Sequence, residues 1–327
     1  MVRAIRYIEL FAGIGGFRYG IEQASASLDQ RQLLSGATYF TCVYANEFDK
    51  YASSVYRRHY KKCDERDIRT VDANAIPDHD LLLAGFPCQA FSVAGKRQGF
   101  CDTRGTLFFE ITRVLRQKRP RLLLLENVKG LLSHEQGGTF ATIISALDEL
   151  GYDLQWQVLN SKDFGMPQNR ERVFIVGHLR GTSRPQVFPF TQTTAASLVH
   201  MGGFMSAASA FNDRIEPKFY QLDRIYHIRG IARTLMATGR GTGKTSGLYY
   251  FPPVQNAEKE HRAGHIRRLT PLECERLQGF LDGWTKLGVH GEAISNVQRY
   301  KMLGNAVTTQ VVTAIIRRLI SGKERHA

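Results

Sequence analysis

The sequence predicts an α/β fold, a doubly wound mixed sheet with ligands at the carboxyl ends of its strands, joined to a smaller loop-rich domain. Three observations carry this expectation. Short apolar runs alternate with amphipathic segments through roughly the first 180 residues. Glycines follow the first apolar run directly. From Arg184-Pro185 to about Ala263 the alternation stops, and Gly, Ser, Thr and aromatic residues dominate. With 327 residues, 43% of them hydrophobic, the chain has material for about two domains with cores of their own.

Residues 6–10, 39–44, 80–84, 121–125 and 172–177 read as short buried strands. The clearest helix is 139–150, where Phe140, Ile143, Ile144, Leu147 and Leu150 share a face and Gly151 stands as the C-terminal cap. Regularity returns at Thr270-Pro271-Leu272-Glu273, a capping box with proline at the first helical position. Val307, Val311, Ile315, Ile316 and Leu319 then predict a closing helix. The expected domains are 1–185, completed by 300–327, for catalysis and cofactor binding, and 186–299 for recognition and hinge.

Forty-four Lys and Arg against thirty Asp and Glu leave a formal charge of +14. Such an excess suits a polyanionic partner, because cations on phosphates release condensed counterions. No run approaches the ~20 apolar residues of a membrane span, and the start leads straight into a strand, so a soluble cytoplasmic protein is expected, with no membrane partner. Five scattered cysteines without a C-x-x-C pair argue against a disulfide scaffold or a zinc site, and no metal is expected.

The chemistry-bearing residues fall at strand ends. Phe11-Ala12-Gly13-Ile14-Gly15-Gly16 is either a tight βα connection or a turn that lets a ligand approach the backbone. Arg18 stands where a dinucleotide fingerprint needs its third glycine, which favours a different nucleoside cofactor. Glu47 after the second strand could accept both hydroxyls of a ribose, and Asp67 could accept from an adenine amino group while Ile68 packs on the ring. Gly85-Phe86-Pro87-Cys88-Gln89 puts a thiol at the sheet edge, where Lys96, Arg97 and Arg104 favour the thiolate over a thiol of ordinary pKa ~8.5. Eight basic residues against two acids from Gly95 to Arg121 suit a loop lying on phosphates. Glu126 ends the fourth strand, where partial desolvation would let it hold and donate a proton. Arg170 and Arg172, two apart on an extended segment, face one side; either could hold a carbonyl oxygen while the other anchors Glu126 or a phosphate. Gly239-Arg240-Gly241-Thr242-Gly243-Lys244-Thr245 imitates a phosphate-binding loop, but Thr238 replaces its first glycine and no strand precedes it. The basic run 57–62 reads as a solvated helix end.

These motifs, with Arg104-Gly105-Thr106-Leu107-Phe108-Phe109, Glu126-Asn127-Val128, Gln168-Asn169-Arg170-Glu171-Arg172 and Gly304-Asn305-Ala306-Val307, occur in the order of the DNA (cytosine-5)-methyltransferases. The chain resembles the compact bacterial members of that family, found in restriction–modification systems, nearly end to end. The resemblance implies the S-adenosylmethionine-dependent methyltransferase fold and that cofactor. It would lie on Phe11, Gly13, Gly15, Gly16, Glu47, Asp67, Ile68, Pro87 and Asn305. Cys88 would attack C6 of a flipped cytosine, with Glu126 on N3 and Arg172 on the C2 carbonyl. Ser92, Lys96, Arg97, Arg104, Arg224 and Thr245 would contact double-stranded DNA, Arg224 as a candidate for pairing with guanine. A cognate restriction endonuclease is a possible functional partner, and a monomer is expected. Arg66 stands where the family often has a glycine before the adenine-contacting acid. An RNA cytosine methyltransferase and a catalytically silent DNA-binding regulator are the alternatives.

Overall fold

The computed structural model describes residues 4–26, 39–86, 107–182, 185–190, 204–205, 225–228, 230–237, 246–251 and 265–321. Within them a six-stranded sheet runs in the order β2-β1-β3-β4-β7-β5. Its parallel part comprises β1 (Ala4–Leu10), β2 (Tyr39–Asn46), β3 (Leu81–Gly85) and β4 (Leu122–Val128). β5 (Tyr152–Asn160) and β7 (Glu171–Leu179) complete it, with β7 antiparallel to both β4 and β5. The sheet is therefore mixed, as expected for the fold that the family resemblance implies, although the alternation of strand and helix does not itself set the direction of β7. β5 is a strand that the apolar pattern misses, because its residues are half-buried at the sheet edge and carry Gln155 and Gln157 among the apolar ones. Those two glutamines hold the backbone of Val187, Phe188 and Phe190.

Strand parity sorts the core into two faces. Ile8, Leu10, Leu82, Ala84, Leu123 and Leu125 point one way, under helices α3 (Leu107–Lys118) and α4 (Gly138–Glu149). Leu81, Leu83, Leu122 and Leu124 point the other way, under α1 (Gly16–Ala26) and the closing helix α7 (Thr309–Ser321). A strand covered on both faces needs no polar alternation, which is why β4 reads as four consecutive leucines. A third cluster packs α2 (Lys50–Tyr60) through Ala52 and Val55 against α5 (Pro271–Gln278) and α6 (Asn296–Asn305). α5 starts at the predicted capping box: Thr270 Oγ1 accepts from Glu273 N at 3.3 Å, and Glu273 Oε2 accepts from Thr270 N at 2.7 Å.

A four-stranded sheet of short pieces has the order β12-β11-β9-β8, from β8 (Phe204–Met205), β9 (Ile225–His227), β11 (Leu248–Phe251) and β12 (His265–Arg268). A separate parallel bridge joins β10 (Ala232–Arg233) to β6 (Gln168–Asn169), so this part of the chain is stitched to the segment entering β7. Among the described residues no helix is long and apolar enough to cross a membrane.

Candidate active site

The parallel strands all end on one edge of the sheet, and β7, running the opposite way, begins there. Residues separated widely in sequence therefore line a single cleft of about 1020 Å³. β1 delivers Phe11 and Gly13, β2 delivers Glu47, Phe48 and Asp49, β3 delivers Gly85 and Phe86, and β4 delivers Glu126 and Asn127. Arg170 and Arg172 come from the start of β7, Thr234 to Ala237 from beyond β10, and Lys301, Gly304 and Asn305 from α6.

At one end, Phe11, Gly13 and Gly15 have positive φ, which turns the chain sharply between β1 and α1. No atom lies within 4 Å of where a Gly13 side chain would start, so a ligand can reach that backbone. Glu47 fixes the turn: its Oε2 accepts from Gly13 N at 2.8 Å and its Oε1 from Asp49 N at 2.7 Å. Burial raises the Glu47 carboxyl above its ordinary range, and the two amides only partly reverse this. Each oxygen keeps a lone pair for a further donor. Ile68 is buried behind Asp67, whose carboxylate is forked by Arg69 and thereby held below the usual carboxylate range. Arg66 forks Asp64 instead, and its carbonyl accepts from Asn46, so a side chain is tolerated at that position.

Phe48 lines the cleft with 68% of its surface exposed, the one large aromatic among the described residues left so open. Sequence reading missed it. The available signal was an aromatic placed directly after a strand-end acid, where nothing in the core requires it.

At the other end Glu126 is buried, and Arg172 Nε stands 3.0 Å from its Oε1. Burial pushes the Glu126 carboxyl up, with Arg172 and Arg170 pulling against that shift. Asn127 Nδ2 donates to the carbonyl of Phe86 at 2.9 Å, which ties the end of β4 to the residue two before Cys88. Arg170 is wholly buried and spends its guanidinium on three carbonyls: Leu235 at 3.0 Å, Gly304 at 3.1 Å and Ala306 at 2.7 Å. Burial and the neighbouring Arg172 bring its pKa down to about 9. The two arginines that sequence treats alike are thus separated: Arg172 faces the carboxyl, while Arg170 braces the backbone on both sides of Asn305. Pro87, Cys88, Ser92, Lys96, Arg97, Arg104 and Arg224, together with all of 239–245, Thr245 included, lie outside the described residues.

Comparison with known proteins follows the same line. The family model for C-5 cytosine-specific DNA methylases matches residues 5–202 and 192–321. The type II methyltransferase M.HhaI of Haemophilus parahaemolyticus is 37% identical over 334 residues, covering 95% of this chain and 93% of the relative. The type II methyltransferase M.NlaX of Neisseria lactamica is 37% identical over 327 residues, covering 96% of each. Among solved structures, the S. pombe Dnmt2 methyltransferase superposes with a TM-score of 0.68 at 20% identity, covering 97% of this chain and 98% of that one, a likeness of fold.

Proposed function

The chain belongs to the C-5 cytosine-specific DNA methylases and is a DNA cytosine-C5 methyltransferase; from that premise we propose that it methylates one cytosine within a short duplex site, using S-adenosylmethionine. The observation that carries this reading is the pairing of two ends in one cleft: Glu47 on the glycine turn, and the buried Glu126–Arg172 pair.

The residues present fit the cofactor. Glu47 has acceptor capacity left for two ribose hydroxyls, the open Phe48 ring and Ile68 offer apolar faces to a purine, and Asp67 can accept from its amino group. Gly13 allows close approach to the backbone, and Asn305 closes the pocket from α6. When bound, S-adenosylmethionine supplies a methyl group activated by its sulfonium.

The target carbon is inaccessible in a stacked duplex, so the cytosine is flipped into the cleft at a cost of a few kcal/mol. Cys88, as thiolate, forms a bond to C6. Electron density pushed into the ring is met by a proton from Glu126 at N3 and by hydrogen bonding from Arg172 at the C2 oxygen. C5 thereby becomes nucleophilic and takes the methyl group. Loss of the C5 proton to a base, cleavage of the C6–sulfur bond and return of the N3 proton to Glu126 restore the enzyme. Covalent addition is needed because C5 of cytosine is otherwise a poor nucleophile. Arg170 touches no reacting atom in this scheme; it positions Asn305 and the 235 region.

Ser92, Lys96, Arg97 and Arg104 are assigned to the DNA backbone near the flipped base, and Arg224 and Thr245 to recognition. The +14 charge supports a duplex partner. The protein is proposed to act as a cytoplasmic monomer within a type II restriction–modification system, alongside a cognate endonuclease.

The test is incubation with tritiated S-adenosylmethionine and, separately, mixed-sequence duplex DNA and bulk tRNA, followed by digestion and identification of the labelled base. Label in 5-methylcytosine from DNA is expected. Label from tRNA alone would move the substrate to RNA. No label, with cofactor binding intact, would favour a silent DNA-binding protein.

A further inference from the structure

Asp49 and Lys301, 252 residues apart, meet in the cleft with Lys301 Nζ 2.6 Å from Asp49 Oδ2. The other oxygen of Asp49 caps α2, accepting from Tyr51 N at 3.0 Å and Ala52 N at 3.2 Å. The backbone N–H of Asp49 donates to Glu47, whose second oxygen holds Gly13. A continuous chain of bonds therefore runs from α6 through Asp49 and Glu47 to the glycine turn. Lys301 sits one helical turn before Asn305. Gly13, Glu47, Asp49, Lys301 and Asn305 all line the same cleft.

The electrostatics agree with the geometry. Burial alone would raise the Asp49 carboxyl, yet the Lys301 ammonium and the two helix amides hold it below its ordinary range. Lys301 also draws Glu47 downward against the effect of burial. The pair is half-exposed, with side-chain accessibilities of 43% for Lys301 and 30% for Asp49, so it can open and close at modest cost. Other cations of the cleft are engaged elsewhere: Arg69 on Asp67, Arg172 on Glu126 and Arg170 on backbone carbonyls.

We propose that the Asp49–Lys301 ion pair is a strap across the cleft, through which α6 sets the position of Glu47 and so the affinity for the cofactor. Both are positioning residues, acting through Glu47 rather than on the methyl group. The strap rests on the reading that this cleft takes S-adenosylmethionine.

The experiment is a double-mutant cycle on cofactor binding, read by calorimetry with S-adenosylhomocysteine, which is not consumed. Lys301→Met keeps the alkyl stem and removes the charge; Asp49→Asn keeps the helix cap and removes the charge. Each single variant should raise Kd roughly two- to fivefold, and the double variant no more than the larger single effect. Added salt should weaken binding to the wild type more than to the variants. KM for S-adenosylmethionine should rise by more than kcat falls. Additive effects, unchanged Kd values, or a loss confined to melting temperature would each overturn the strap. Failure of the wild type to bind S-adenosylhomocysteine would instead overturn the cofactor reading beneath it.

Discussion

Glu126 and Arg172 are joined diagonally across two antiparallel strands, with Arg172 opposite Val128 in register and its Nε 3.0 Å from Glu126 Oε1. The pairing depends on strand direction. Only because β7 runs against β4 does its first residue pair reach the edge where β4 ends. A carboxyl buried there would stay mostly protonated, and an arginine there would be costly; together each lowers the cost of the other.

Glu126→Gln should slow methyl transfer by orders of magnitude while leaving cofactor binding in place. The proposed mechanism needs the proton on Glu126, and burial shifts its carboxyl upward. The rate should therefore fall as pH rises through that shifted pKa. A glutamine cannot titrate, so the alkaline limb assigned to Glu126 should vanish from the pH–rate profile of the variant. A limb that persists unchanged would assign the titration to another group.

Cys88→Ala should abolish turnover and leave duplex binding largely intact, since the thiol is assigned to bond formation rather than to affinity. Methylation assays and gel-shift titrations on the same preparation check both halves. Binding itself should weaken steeply with salt, and a flat response would detach the +14 charge from DNA.

Arg170→Ala should act on stability first. It leaves the carbonyls of Leu235, Gly304 and Ala306 buried without their donor, at a cost of about 3–5 kcal/mol. Cofactor KM should rise because the backbone on both sides of Asn305 is loosened, and Arg170→Lys should recover part of the loss. If Arg170 touched the substrate instead, kcat would collapse at unchanged melting temperature.

Much of this site is legible in the sequence because its residues sit at strand ends, and strand ends follow from local patterns. Glu47 and Glu126 are placed by the apolar runs before them, Asp67 stands ahead of the third strand, and the glycine turn announces itself. What local pattern cannot carry is long-range partnership. The direction of β7, the edge strand β5, and the meeting of Lys301 with Asp49 all depend on chain segments far apart. Arg170 and Arg172 look equivalent at a spacing of two; their fates diverge because one meets a carboxylate and the other three carbonyls from distant loops.

Gly304 marks another such meeting. A methyl group there would lie 2.2 Å from Ala237 N and 2.3 Å from the carbonyl carbon of Met236, backbone atoms that cannot step aside. Gly304→Ala should thus push the 234–237 segment off α6, with a stability loss of about 1–3 kcal/mol or more. Weaker cofactor binding should accompany it, since Asn305 is the next residue. Denaturant titration and calorimetry measure both, and a variant as stable as the wild type would place the two segments farther apart than this contact requires.

The last prediction concerns Glu9, a charged residue buried completely within β1. Its Oε1 accepts from Arg18 N at 3.0 Å, bracing the first turn of α1, and its Oε2 accepts from Tyr56 OH at 2.7 Å. Burial pushes its pKa to about 7 against the opposing pull of Tyr56 and Arg18. Because the folded pKa lies above the unfolded one of ~4.3, Glu9 favours folding most at low pH, and that contribution is lost as pH rises through 7. The full swing is on the order of 3 kcal/mol, with about 1 kcal/mol of it between pH 6 and pH 8. The wild type should accordingly melt roughly one to two degrees lower at pH 8 than at pH 6. Glu9→Gln removes the titration while keeping an acceptor in the pocket, so its melting temperature should change less over the same interval. An equal pH dependence in the variant would mean that the carboxyl is already ionised at pH 6, and that Arg18 stabilises it more strongly than burial opposes it.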